Sequence, residues 1–145
     1  MGLAAFGPIN PHTAGPIDAG SAFGDPSSVD RSGARCWRRW RALGLTLEFA
    51  AVAGEDPCGS DSGIEAIRVA GPAAMQAGWR TAEGIRPGMR VAVARRIYPD
   101  ARRTSSGRLI LVEGPEDGDS GEIVTVLAVE TAAGRVTALT FPIAE

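Results

Sequence analysis

Gly63-Ile64-Glu65-Ala66-Ile67-Arg68-Val69 and Gly134-Arg135-Val136-Thr137-Ala138-Leu139-Thr140-Phe141 are parallel runs, each opened by glycine and rich in β-branched and aliphatic residues. Upstream of each lies a second shared landmark. Phe6-Gly7-Pro8-Ile9 leads through a Thr/Ala/Gly segment to Phe23-Gly24-Asp25-Pro26, and Gly84-Ile85-Arg86-Pro87-Gly88 leads through a similar length to Ile97-Tyr98-Pro99-Asp100. Ile9 and Ile85 stand nearly as far apart as Ala66 and Ala138. Two landmarks recurring in one order at nearly one spacing indicate an internal duplication. The fold class expected is α+β: two tandem copies of a helix followed by an antiparallel meander of three or four strands. Residues 1–70 form the first module, 71–78 a connector and 79–145 the second module. Each module alone is too small to bury a good core, so the two are expected to share one, as a single pseudo-symmetric unit.

The second copy is the clearer. Met89, Val93 and Ile97 recur every fourth residue, which places them on one face of a helix that ends at Tyr98-Pro99. Strands are expected over 108–112, 122–130 and 135–141, with Thr131-Ala132-Ala133-Gly134 turning the last pair into a hairpin. In the first copy a short helix is expected over 13–23, with Thr13 as its cap and Pro16 in its first turn. A hairpin over 34–40 and 45–50 turns around Ala42-Leu43-Gly44. Leu45, Leu47 and Phe49 alternate with Thr46 and Glu48, the pattern of a half-buried strand.

Composition excludes several function classes. The 145 residues are 44% hydrophobic and 22% charged, enough apolar surface to fold. A formal charge of -2 is the opposite of what phosphate neutralisation requires, so nucleic acid is not an expected partner. All 15 basic residues are arginine, which removes Schiff-base lysines and lysine-ended phosphate loops. His12, the lone histidine, has no partner for a metal site or a proton relay. No stretch approaches the roughly 20 apolar residues of a membrane span. The first residues lack the basic and long apolar regions of a secretory signal. Cys36 and Cys58 stand outside any CxxC pairing and are expected to form a disulfide, worth about 3 kcal/mol in the chain-entropy treatment and pointing to an oxidising compartment.

The layout resembles that of the β-lactamase inhibitor protein and the related small lipoprotein of the outer-membrane barrel-assembly machinery. The resemblance is carried by Gly88-Met89 followed by Val93, by Phe23-Gly24-Asp25-Pro26 and by the duplication, and it spans most of the chain. Arg90 stands where that family usually has threonine, and His12-Thr13 occupies the corresponding place in the first copy. None of the inhibitor's target-contacting residues is matched, so none is carried over. The run from Trp79-Arg80-Thr81 to Tyr98-Pro99 is similar to exported proteins of high-GC bacteria, which implies a secreted or cell-envelope setting and no activity.

Cys36-Trp37-Arg38-Arg39-Trp40-Arg41 is the most unusual run. Tryptophan and arginine are the types most enriched in interface hot spots. Strand alternation puts Trp37 and Arg39 on one face and Arg38 and Trp40 on the other. Trp37, Arg39, Trp40 and Arg41 are therefore the candidate partner-binding residues, against the plainer reading that a tryptophan closes the core under stacked arginines. Gly118-Asp119-Ser120-Gly121 has the residue types of a serine-protease nucleophile turn, but a relay histidine is missing and a hairpin loop needs the same residues. Asp117, Asp119 and Glu122, like Glu55, Asp56 and Asp61 in the equivalent loop, lack full calcium-loop spacing and read as solvated turns. The expectation is thus a non-enzymatic exported module, without cofactor or metal, that binds a protein or cell-envelope component through a sheet face. The rivals are a small enzyme or metal-binding protein with a site between the modules, and a structural accessory domain of an envelope protein.

Overall fold

The alternating apolar strand over Leu45–Ala50 lies inside an eight-stranded sheet. The computed structural model describes residues 15–115 and 123–142. These form an α+β fold with three short helices and one eight-stranded antiparallel sheet. Helix α1 (Pro16–Phe23) precedes strands β1 (Ser28–Ser32), β2 (Arg35–Trp40), β3 (Leu45–Ala50) and β4 (Gly63–Ala70). Helices α2 (Gly71–Ala77) and α3 (Val91–Ile97) precede β5 (Arg102–Arg103), β6 (Leu109–Pro115), β7 (Ile123–Ala132) and β8 (Arg135–Pro142). The sheet order is β1-β2-β3-β4-β8-β7-β6-β5, so each run of four strands is a meander and the two meet at their last strands.

Local chemistry explains most boundaries. Pro16 occupies the first turn of α1, as expected, where its missing N–H costs nothing. The cap is Gly15, whose N–H donates to the Asp18 carboxylate at 2.9 Å; Thr13 lies outside the described residues. The expected β2/β3 hairpin is present, turning through a short 3₁₀ turn (Arg41–Leu43) and Gly44. Gly44 is held at φ 61°, and a Cβ there would lie 2.5 Å from both the Ala70 carbonyl oxygen and the Ala74 nitrogen. Only glycine lets this turn pack onto the start of α2. The β7/β8 hairpin turns through Ala133 and Gly134, both at positive φ (52° and 76°), the pair of conformations a type I′ turn demands.

Four features differ from the sequence expectation. Strands β1 and β5 add an edge on each side. The connector stretch is helical over Gly71–Ala77. Helix α3 starts at Val91, so Met89 belongs to the preceding turn and the fourfold spacing does not define a buried helix face. Ala94 is the buried residue of α3, while Val93 and Ile97 are 36% and 38% exposed. Met89 is buried outside the helix, where its Sδ accepts the Arg86 N–H at 3.4 Å.

One core cluster spans both meanders. Leu45, Leu47 and Phe49 of β3 and Ile67 and Val69 of β4 join Leu139 and Phe141 of β8, with Ile67 opposite Phe141 and Val69 opposite Leu139. Each such side chain contributes roughly 1.5–3 kcal/mol of burial. All three helices place an alanine in this cluster, Ala19, Ala74 and Ala94, small residues that permit close approach to the sheet.

Candidate interface on the outer sheet face

The parity of β2 sorts its unusual side chains between two faces. Cys36, Arg38 and Trp40 lie opposite Phe49, Leu47 and Leu45 and therefore face the core; Arg35, Trp37 and Arg39 lie opposite Ala50, Glu48 and Thr46 on the outer face. Trp40 is 4% exposed. Its indole N–H donates to the Gly24 carbonyl at 3.0 Å, and its ring meets Phe23 edge-on at 5.7 Å. Trp40 is thus a core residue, which corrects its assignment to a binding surface: a buried indole with its N–H satisfied has nothing left to offer a partner. Arg41 is exposed in the 3₁₀ turn beyond the end of β2, off the outer face, and its backbone N–H is bound by Ser27 Oγ at 3.0 Å.

Arg38 is the arginine that covers the core. Its guanidinium stands 5.9 Å from the Phe49 ring centre and donates to the Cys58 carbonyl at 2.9 Å. Cys36 and Cys58 form the expected disulfide, which with Arg38 fastens the loop of residues 51–62 to β2. Asp56 ties the same loop to β1, pairing with Arg31 at 2.6 Å, and accepts the Cys58 N–H at 2.9 Å.

Trp37, half-buried, stands on the outer face one strand in from the β1 edge. It lies directly opposite Asp30 of β1 on one side and Glu48 of β3 on the other. Along β2, Arg39 pairs with Asp30, and Arg35 pairs with Glu48 at 2.6 Å and stands 3.3 Å from Glu65. The hydrogen bond that Arg35 donates to Glu48, followed by the charges of Glu48 and Glu65, raises the Arg35 pKa above its usual value. The face continues across β4 and β8 through Ala66 and Ala138 to the Arg68–Glu130 pair at 2.8 Å. The indole is thus framed by the Arg39–Asp30 and Arg35–Glu48 ion pairs, with Glu65 as a further carboxylate beside Arg35.

Asp30, Glu48 and Glu65 were not singled out from sequence. The signal for Glu48 was available, because the β2/β3 hairpin register sets it opposite Trp37. Trp79, also passed over, is a second core tryptophan: it is 4% exposed and its indole N–H donates to the Leu43 carbonyl at 2.7 Å. Of the acidic loops, Glu55, Asp56 and Asp61 lie in the disulfide-bound loop, whereas Asp117, Asp119 and Glu122 lie outside the described residues, as does His12. Among the described residues no three His, Cys, Asp or Glu side chains come together as a metal site, and no helix is long and apolar enough to cross a membrane. No protein-family model, no curated protein and no solved structure matches the chain.

Proposed function

We propose that the chain is a non-enzymatic exported binding module that engages a protein partner or envelope component through the outer sheet face around Trp37. The carrying observation is the setting of that indole, half-exposed between the Arg39–Asp30 and Arg35–Glu48 pairs. Tryptophan and arginine dominate interface hot spots because a flat apolar ring and a planar fork desolvate well against a partner. Here the arginines are already held by carboxylates, so little side-chain freedom is lost on docking. With Trp40 in the core, the surface rests on Trp37 and Arg39 alone among the tryptophan and arginine residues first singled out. The Cys36–Cys58 disulfide supports export, since such bonds persist in oxidising compartments.

The architecture supports reading residues 1–70 and 79–145 as tandem copies. In each, helix precedes a four-stranded meander, and the last strands β4 and β8 pair at the centre. The likeness to the β-lactamase inhibitor protein family rests on that tandem reading.

The test is affinity capture from the exported proteins of the source organism, using immobilised parent, Trp37→Ala and Arg39→Ala chains whose melting temperatures agree within a few degrees. A partner retained by the parent and depleted about tenfold or more by Trp37→Ala is the expected result, in the range of a hot-spot loss. Equal retention by Trp37→Ala, or no retained partner at all, sinks the proposal.

A further inference from the structure

The strand beside β8 changes along its length. From Ala138 to Pro142 the neighbour is β4. At Ala70 β4 leaves the sheet for α2, and residues 88–90 take its place. There the Gly88 N–H donates to the Val136 carbonyl at 2.7 Å, the Val136 N–H donates to the Met89 carbonyl at 2.8 Å, and Arg90 is bridged opposite Arg135. The changeover leaves a cavity of about 370 Å³ walled by Gly71, Pro72, Met75, Gly88 and Val136, with Arg135 on its lining.

Two independent observations converge on one ligand chemistry. The walls are apolar, and Met75, 53% exposed, lies with its methyl against Gly88, so a flexible thioether forms one side of the cavity. Arg135 lines the cavity, and Arg90 is bridged directly opposite it. Residues so placed share a face with Cβ atoms roughly 4.5–5.5 Å apart, and like charges in that position repel. Among the described residues neither guanidinium forms an ion pair; Arg135 donates to the Gly88 carbonyl, a neutral acceptor, at 2.9 Å.

We propose that this cavity binds a small apolar carboxylate, its hydrocarbon against Met75 and Pro72 and its head between Arg90 and Arg135. A carboxylate accepts bidentate bonds from a guanidinium and removes the repulsion between the two, which neither an alcohol nor an amine does. The volume lies at the small end of the range for small-molecule sites, which fits a ligand of a few carbons. The same chemistry is offered by a short fatty acid and by the C-terminal residue of a peptide.

Titration of the ¹⁵N-labelled chain, followed by amide shifts, separates these. The probes are hexanoate, N-acetyl-leucine as a peptide-terminus mimic, 1-hexanol and hexylamine. Saturable shifts at Gly71, Met75, Gly88 and Val136 are expected with hexanoate, N-acetyl-leucine or both, and the tighter of the two identifies the source. Loss of a charge-assisted contact is expected to weaken 1-hexanol by about tenfold relative to hexanoate. Arg135→Gln and Arg90→Gln, both at exposed positions and so compatible with folding, should each weaken carboxylate binding about fivefold or more and leave 1-hexanol unchanged. Equal affinity for 1-hexanol and hexanoate, shifts scattered away from the cavity, absence of saturation, or indifference to both arginine substitutions would each overturn the proposal.

Discussion

The two meanders reach one topology with different fastenings. In the first, β2 and β3 are six residues each, β3 and β4 are separated by the loop 51–62, and that loop is tied back by the disulfide, the Arg38 bond to Cys58 and the Arg31–Asp56 pair. In the second, β7 is ten residues long, β8 is eight, and a two-residue turn joins them; Cys36 and Cys58 are the chain's two cysteines, so no covalent tie reaches this half. Short ladders interrupted by a long loop carry a loop-closure cost that a crosslink reduces in the unfolded chain. A long ladder closed by a tight turn meets that cost with local hydrogen bonds.

The largest effect should come from testing whether this difference survives in a shared core. Phe49→Ala in β3 and Phe141→Ala in β8 each remove a fully buried ring, at a cost of about 3–5 kcal/mol. Both should shift one calorimetric transition whose van't Hoff and calorimetric enthalpies agree. Two separated transitions, each sensitive to one substitution, would show that the halves fold independently. The middle effect isolates the crosslink. Replacing Cys36 and Cys58 together by alanine should cost about 3 kcal/mol, and amide exchange should accelerate most in residues 51–62 and β1, least in β7 and β8. Uniform acceleration would remove the contrast between the fastenings. The smallest effect concerns the tight turn. Ala133 is the sole non-glycine residue at positive φ among the described residues, and Ala133→Gly should stabilise by up to about 1 kcal/mol through relief of the left-handed backbone. A loss of stability in urea melts would mean that the turn does not carry this strain.

Strands with one apolar face were legible, and edges were not. Leu45, Leu47 and Phe49 announce β3 because one side of it is core, whereas Ser28-Val29-Asp30-Arg31-Ser32 and Arg102-Arg103 border the sheet and carry no alternation to read. The buried face of α3 was misread because Met89, Val93 and Ile97 keep a helical spacing across a boundary at Val91 that spacing alone does not reveal. The site was half legible. Strand parity separated Trp37 from Trp40, but parity does not say which side is inside. The hairpin register does, since it sets Trp40 against Leu45 and Cys36 against Phe49. The cavity beside Arg135 left no trace in sequence, because it arises where β4 and residues 88–90 exchange places along β8.

The pairing of β4 with β8 also dictates an order of events during synthesis. Residues 63–70 leave the ribosome long before residues 135–142, so one flank of β4 waits with bare amides and carbonyls while the intervening chain is made. Until that flank is covered, nascent copies on neighbouring ribosomes present identical open edges to one another, and a delay in elongation beyond Ala70 would lengthen that exposure.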